Sequence, residues 1–189
     1  MNGFSAASKV EARALAILLP YLDEQADGRV VLTSKGTLAR FLQVTIGDVI
    51  LNDKEGRVWS VELKAEEKHT GNLFLETWSN KNLIDQQSHA ARGSTIGWLY
   101  SCRADLLMYY FLDSDDLYII PLLRLKRWAF GSNGRAGRIY AFQEVEQEKY
   151  EQMNDTYGRL IPIAALAKEI QFRQLRVRQL ALWAEGRAA

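Results

Sequence analysis

The residues best suited to chemistry are an acid and a lysine that lie two positions apart in an alternating segment. Apolar and polar residues alternate over residues 57–65, which predicts a strand with two different faces. Because strand side chains point to opposite faces in turn, Glu62 and Lys64 share a face, about 6–7 Å apart. Upstream, Asp48 begins an apolar segment directly after Gly47, and a tight turn joins the two segments. We therefore predict a β-hairpin in which Asp48 lies beside Glu62 and Lys64.

Two carboxylates beside a lysine have a well-defined chemical use. Carboxylate oxygens bind hard divalent cations and leave coordination positions for water and for a phosphate oxygen. Such an ion acidifies bound water and polarises phosphorus, while a neighbouring lysine stabilises developing negative charge. The backbone carbonyl of Leu63 lies between the two side chains and offers a further oxygen ligand. The alternative is that Glu62 and Lys64 form the solvated face of a half-buried strand, because Glu-x-Lys pairs are frequent.

The two predicted strands resemble a known family of enzymes. Gly47-Asp48-Val49-Ile50 followed by Ser60-Val61-Glu62-Leu63-Lys64 is similar to the core motif of the PD-(D/E)xK nuclease superfamily. This superfamily includes restriction endonucleases and Holliday-junction resolvases. Gly47 stands where the family has a proline, and the candidate ligands are retained. The resemblance runs from the first predicted helix to about Trp78.

The resemblance implies an α/β fold with a restriction endonuclease-like mixed central sheet flanked by helices. It also implies dependence on Mg²⁺, with Mn²⁺ as the alternative ion, and endonucleolytic cleavage of DNA. In this interpretation the metal ligands are Asp48, Glu62 and the carbonyl of Leu63. Lys64 is then the water-orienting base or the electrostatic helper. Small nucleases of this fold often act as pairs, which suggests a homodimer.

Two further acids are candidate catalytic residues. Glu11 precedes Leu15 by four residues and Leu18 by seven, so it extends the apolar stripe of the first predicted helix. Many members of the superfamily place an acid on this helix, although a first-turn carboxylate also suits the helix dipole alone. Glu76 lies within the predicted strand over 72–78. It either extends the metal site or pairs structurally with a lysine.

Two basic stretches are candidates for contact with the DNA backbone, since cations that neutralise phosphates give sequence-independent affinity. The first contains five cations without an intervening acid: Arg124, Lys126, Arg127, Arg135 and Arg138. The second is Arg173, Arg176 and Arg178 on the predicted last helix. The alternative for both is a solvated helix face or pairing with the acids between 144 and 151. For the second stretch we favour this alternative.

Composition sets the limits of the interpretation. The 189 residues include 24 Lys and Arg against 23 Asp and Glu, so any nucleic-acid contact must rely on local patches. One cysteine excludes an intramolecular disulfide and a cysteine-rich zinc site. The first residues do not follow the pattern of a signal peptide, and we expect a cytoplasmic protein without a membrane span. His69 is expected in an exposed loop, and segment 93–97 lacks the lysine of a nucleotide-binding P-loop.

Hydrophobic periodicity and turn residues divide the chain into helices and strands. Leucines at helical spacing predict a helix from Ser8 to about Gln25, with Ser8 as its N-cap. Pro162 is interpreted as the first-turn proline of a C-terminal helical segment over about 162–186. Residues 1–189 contain no low-complexity linker and are interpreted as one domain. The remaining predictions are strands over 29–32, 48–51, 57–65, 72–78, 98–112, 117–121 and 138–142, a short helix or turn over 37–43, a short helix over 122–130, and a loop over 131–137.

Two functions of other classes remain open. The first is a catalytically inactive nucleic-acid-binding module that keeps the nuclease fold. The second is a protein-interaction module in which Glu62 and Lys64 are ordinary surface residues. The set of Asp48, Glu62 and Lys64 argues against both, because an inactive copy has little reason to keep all three.

Overall fold

The structure is a computed structural model that describes residues 5–26, 30–32, 46–81, 96–132, 134–147 and 156–177. The predicted short helix or turn over 37–43 lies outside these residues. The elements in chain order are α1 (Ser5–Gln25), β1 (Val30–Leu32), β2 (Val49–Asn52), β3 (Val58–Glu66), β4 (Asn72–Trp78), α2 (Trp98–Ser101), β5 (Leu106–Phe111), β6 (Asp116–Pro121), α3 (Leu122–Phe130), β7 (Gly131–Ser132), β8 (Arg135–Ala136), a 3-10 turn (Ile139–Ala141), β9 (Glu144–Glu146), β10 (Tyr157–Pro162), α4 (Ile163–Leu166) and β11 (Arg173–Arg176).

The fold is α/β, with a mixed central sheet flanked by helices. The six-stranded sheet has the order β1-β2-β3-β5-β6-β11. The pair β3–β5 is parallel, with Glu62 opposite Leu107, and every other pair in this sheet is antiparallel. The predicted boundaries of β1, β2 and β3 are confirmed to within one residue, and those of β4 and α3 agree fully. A period-two pattern flanked by turn residues is therefore a sound guide in this part of the chain.

Helix α1 packs its apolar stripe against one face of this sheet. Ala14, Leu18 and Leu22 recur every four residues, are almost fully buried, and share one hydrophobic core with Val61 and Leu63 of β3. The helix begins at Ser5, three residues before the predicted start, so the prediction that Ser8 is the N-cap is wrong. The core fixes α1 along the hairpin formed by β2 and β3. Among the described residues, no helix has the length and apolar character needed to cross a bilayer.

The apolar run over 98–112 forms two elements, where the sequence predicted one strand. Residues Trp98–Ser101 form helix α2, whose Leu99 is fully buried, and β5 begins only at Leu106. Asp105 lies between the two elements. Its carboxylate accepts hydrogen bonds from the backbone N–H (2.9 Å) and the Oγ (2.7 Å) of Ser60. A continuous apolar run cannot by itself distinguish a buried helix from a buried strand.

Two predictions that follow α3 are also wrong. Segment 138–142 was predicted as a strand but contains the 3-10 turn Ile139–Ala141, whose Ile139 is buried. Segment 131–137 was predicted as a loop but contains the short antiparallel pair β7–β8. Gly131 and Gly134 adopt positive φ angles of 85° and 79°, which let the chain reverse within so few residues.

The predicted C-terminal helical segment is replaced by a strand, a short helix and a second strand. Pro162 ends β10 and is the N-cap of α4, which spans only Ile163–Leu166. Residues Arg173–Arg176 then form β11, an antiparallel edge strand beside β6. Pro162 therefore does precede a helix, but this helix is short and lies between strands β10 and β11. Segment 178–186 lies outside the described residues.

The chain divides into two compact units, where the sequence was interpreted as one domain. The six-stranded unit contains the described residues of 7–70, 103–122 and 172–177. The three-stranded unit contains those of 71–102 and 123–171, together with Ser5 and Ala6. Its sheet has the order β4-β10-β9, with both pairs antiparallel.

Candidate active site

The start of β2 places Asp48 against the middle of β3. The Asp48 N–H donates to the carbonyl of Val61 (2.8 Å), and Val49 pairs with Val61 in the hairpin register. Gly47 precedes this contact with a φ of 108°, and a Cβ built there would lie 2.6 Å from the Val61 oxygen. Proline, whose ring fixes φ near −65°, cannot adopt this conformation. A proline at position 47 would therefore require a different local backbone.

Asp48 precedes the first residue of β2, and its side chain, in place of a backbone group, forms the next hydrogen bond to β3. Its Oδ2 accepts a hydrogen bond from the N–H of Leu63 at 2.9 Å. In a strand, the N–H and C=O groups of one residue point to the same edge, so the Leu63 carbonyl is also directed to the Asp48 side of β3. The Leu63 carbonyl is thus directed to the edge of β3 on which the Asp48 carboxylate lies.

Lys64 joins the acids of β3 and α1. Its Nζ lies 2.8 Å from Glu62 Oε1 and 3.6 Å from Glu11 Oε1. The Glu62 side chain is only 9% exposed, that of Lys64 is 23% exposed and that of Glu11 is 43% exposed. The cluster therefore runs from a buried carboxylate to one that reaches solvent in the second turn of α1, so the sequence alternative of a first-turn carboxylate does not apply to Glu11.

The charges of this cluster do not balance. When ionised, the carboxylates of Glu11, Asp48 and Glu62 carry −3 and the Lys64 ammonium +1, which leaves −2. Burial, and then repulsion by Glu62, raise the pKa of Asp48 from its ordinary 3.8 to about 6, although Lys64 and the Leu63 N–H act in the opposite direction. The pKa of Lys64 is also raised, since attraction by Glu62, Glu11 and Asp48 outweighs the effect of its burial. Lys64 is therefore protonated, and the ionised form of Asp48 is destabilised.

The donor set of Asp48, Glu62 and the Leu63 carbonyl suits one kind of metal site. Among the residues that the structure describes, no three His, Cys, Asp or Glu side chains form a group that could hold a metal ion. Mg²⁺ does not need such a cage, because it keeps several waters and binds proteins through one or two carboxylates. An excess charge of −2 also matches one divalent cation. These residues therefore fit Mg²⁺ or Mn²⁺.

Glu76, the fifth predicted catalytic residue, belongs to the three-stranded unit. It lies on β4 opposite Gly158 of β10. Its Oε1 accepts a hydrogen bond from the N–H of Trp98 (3.2 Å) and another from Ser79 Oγ. These contacts give Glu76 a structural role, since they hold the first turn of α2 against β4. The structure thus brings together four of the five predicted residues in the six-stranded unit.

The five predicted DNA-binding residues all belong to the three-stranded unit. Arg124, Arg127, Arg135 and Arg138 are exposed, and Lys126 is half-buried. Arg138 pairs with Glu169 (3.0 Å), an acid outside the segment 144–151 that the sequence suggested, and residues 148–151 of that segment lie outside the described residues. In the second basic stretch, Arg173 and Arg176 lie on β11 of the six-stranded unit, and Arg178 lies outside the described residues.

Two contacts of the six-stranded unit were not predicted. His69 was expected in an exposed loop, but its ring lies 4.4 Å from that of Phe111 and its Nε2 lies 2.9 Å from Tyr118 Oη. Asp105 binds Ser60, which stands on the same face of β3 as Glu62, and so fixes β3 against β5. The one signal for Asp105 in the sequence is its place as an acid directly before an apolar run.

Comparison of the chain with known proteins adds nothing to this geometry: no family model, no curated protein and no solved structure matches it.

Proposed function

We propose that this protein is a metal-dependent DNA endonuclease with a restriction endonuclease-like fold. The observation that carries the proposal is the convergence of Asp48, Glu62 and Lys64 around the edge of β3. The Asp48 carboxylate binds the Leu63 N–H (2.9 Å), and Lys64 lies 2.8 Å from Glu62. A half-buried carboxylate with a raised pKa and a neighbouring acid is typical of functional sites, because such an arrangement is costly to maintain for stability alone.

Asp48, Glu62 and the Leu63 carbonyl are the residues that would hold Mg²⁺ or Mn²⁺. When bound, such an ion acidifies water and stabilises charge on a phosphate. The protein contributes a preformed arrangement, because backbone hydrogen bonds fix Asp48 at both its N–H and its carboxylate. Little reorganisation is then needed when a phosphodiester arrives.

Lys64 acts as an electrostatic helper in this proposal, and not as a base. Its raised pKa keeps the ammonium protonated at neutral pH, so it has no lone pair with which to accept a proton from water. The ammonium stabilises negative charge that develops on the phosphate oxygens. Glu11 is a positioning residue, since its carboxylate lies 3.6 Å from the Lys64 Nζ.

A cleavage panel tests the proposal. Supercoiled plasmid, linear duplex, junction and single-stranded DNA are incubated with the wild-type protein and with Asp48→Ala, in Mg²⁺, in Mn²⁺ and in EDTA. We expect cleavage only by the wild type and only with a metal ion. Asp23→Ala removes an exposed carboxylate from α1 and is the matched control, which should cut like the wild type. Equal cleavage by wild type and Asp48→Ala would overturn the assignment.

One observation supports a second candidate function, a nucleic-acid-binding module without catalysis. Segment 122–138 holds five cations and no acid. Four of these cations are exposed, as phosphate binding requires. This candidate predicts DNA binding that neither Mg²⁺ nor Lys64→Ala affects, together with the absence of cleavage in every lane of the panel.

A further inference from the structure

The three-stranded unit contains a pocket that combines aromatic rings with positive charge. It has a volume of about 260 Å³ and lies at the end of α3, where the helix runs into β7. Its lining residues are Tyr100, Lys126, Arg127, Phe130 and Gly131. Among the described residues that line it there is no acid, and the proposed catalytic cluster uses none of them.

The aromatic part of the pocket is a pair of rings that is open to solvent. The ring centroids of Tyr100 and Phe130 are 5.0 Å apart, and the ring planes meet at 66°. This edge-on contact is not a closed stack, and Tyr100 keeps 59% of its surface exposed. An exposed tyrosine supported by a second ring is a suitable platform for another planar group.

The charged part of the pocket is held in place by the backbone. Lys126 Nζ donates to the carbonyl of Tyr100 (3.0 Å) and to that of Cys102, which ties the aromatic platform to α3. Arg127, the next residue, is exposed beside it. A planar ligand that also carries a negative charge therefore matches the pocket in both shape and charge.

We propose that this pocket binds an unpaired nucleotide, with the base against Tyr100 and Phe130 and the phosphate near Lys126 and Arg127. A paired base inside a duplex is stacked on both faces and cannot reach such a platform, whereas a base in a single strand can. The inference rests on the proposed nuclease function, whose substrate it narrows to DNA with an unpaired nucleotide. A strand end and a free nucleotide share this chemistry, and the experiment distinguishes them.

Fluorescence anisotropy in EDTA measures binding without cleavage. A labelled single strand and the duplex of the same sequence are titrated with the wild type, Tyr100→Ala, Tyr100→Phe and Tyr100→Leu. Loss of one base-stacking contact weakens single-strand binding about tenfold in Tyr100→Ala and Tyr100→Leu, while Tyr100→Phe keeps it. Duplex binding should stay the same in all four. Tyr140→Ala is the control, since Tyr140 is a similarly exposed tyrosine (67%) of the same unit.

A second pair of variants and a competition test the phosphate. Arg127→Ala should weaken single-strand binding severalfold, whereas Lys168→Ala, an exposed cation elsewhere in the unit, should not. A deoxynucleoside monophosphate should displace the strand, and inorganic phosphate at the same concentration should not. Displacement by the mononucleotide alone, with no preference for a single strand over a duplex, would assign the pocket to free nucleotides.

Three results would overturn the inference. They are no binding of any nucleic acid or nucleotide, an equal loss of single-strand and duplex binding in Tyr100→Leu, and equal competition by inorganic phosphate. Thermal melts confirm that each variant is folded before its affinity is interpreted. The inference and the proposed function fail separately. A protein that binds in EDTA but never cuts would contradict only the nuclease, and one that cuts but ignores Tyr100 would contradict only the pocket.

Discussion

The two ends of the hairpin formed by β2 and β3 contain the same types of residue with opposite properties. At the turn, Asp53 accepts hydrogen bonds from Trp59 Nε1 (2.9 Å) and from the N–H (2.8 Å) and Nε (3.0 Å) of Arg57. These donors, with Trp59 first, lower the pKa of Asp53 to about 2. At the open end, burial and Glu62 raise the pKa of Asp48 to about 6.

The ionised carboxylate of Asp53 therefore stabilises the fold, whereas that of Asp48 destabilises it. Asp53 has its charge matched by donors within the hairpin, so its ionised form is the stable one. Asp48 lies in a cluster with an excess of negative charge, and Lys64 and the Leu63 N–H oppose the resulting repulsion. One sequence segment thus builds both a rigid turn and an electrostatically incomplete site.

The largest expected effect is on the rate of DNA cleavage, when the cation at each end of the hairpin is replaced. Lys64→Met should lower the rate of DNA cleavage about 10²–10³-fold, because one preorganised charge near the phosphate is lost. Arg57→Met removes a cation that pairs with Asp53 at the turn, and should leave the rate unchanged. Single-turnover cleavage at saturating protein measures both. Equal rates for the two variants would remove the distinction between the ends.

A second contrast concerns the glycines at the two ends of the hairpin, Gly47 directly before Asp48 and Gly56 three residues after Asp53. Gly47→Ala should destabilise the protein by about 3 kcal/mol, since it combines a positive φ with a Cβ 2.6 Å from the Val61 backbone oxygen. Gly56 at the turn has a φ of 80°, but a Cβ added there would meet nothing within 4 Å, so Gly56→Ala should cost about 1–2 kcal/mol. Urea unfolding of both variants measures the difference. A larger loss in Gly56→Ala would show that the open end is the more tolerant one.

The smallest expected effect is a difference in how the two aspartates change the stability of the protein with pH. The folded pKa of Asp48 is raised, so the stability that its proton contributes is complete below about pH 4 and lost as the pH rises through about 6. Asp48→Asn keeps an acceptor for the Leu63 N–H and should stabilise the metal-free protein by on the order of 1–2 kcal/mol at pH 7, but not at pH 4. Asp53 has a lowered pKa, so its contribution is present above about pH 4 and is lost as the pH falls towards 2.

Thermal melts in EDTA across this pH range measure both aspartate variants. Asp53→Asn should melt below the wild type at pH 7, which is the opposite sign to Asp48→Asn. Added Mg²⁺ should raise the melting temperature of the wild type but not that of Asp48→Asn, because only the native state of the former binds the ion. A stabilised Asp53→Asn or a destabilised Asp48→Asn would contradict the comparison.

The sequence predicts the hairpin well because short-range rules determine it. Period-two alternation places Glu62 and Lys64 on one face, and the loop length brings Asp48 beside them. The partners of these residues across the chain could not be predicted. The link from Asp105 to Ser60 joins residues 45 positions apart, and no local pattern indicates it.

The errors have the same origin. Segment 98–112 and the region after Pro162 were assigned from local hydrophobicity and from the usual place of proline in helices. In the structure, contacts between distant segments determine the secondary structure of both regions. Leu99 is buried in α2, and Arg173 pairs with Ile119 of β6. Such contacts override local preference, and a single sequence does not reveal them.

The division into two units has a practical consequence. Between residues 70 and 172 the polypeptide passes from one unit to the other four times, at 70–71, 102–103, 122–123 and 171–172. No single truncation therefore yields either unit on its own. Point substitutions are the route to separating the proposed cleavage from the proposed nucleotide recognition, because a protease cut at 102–103 would divide both units between two fragments.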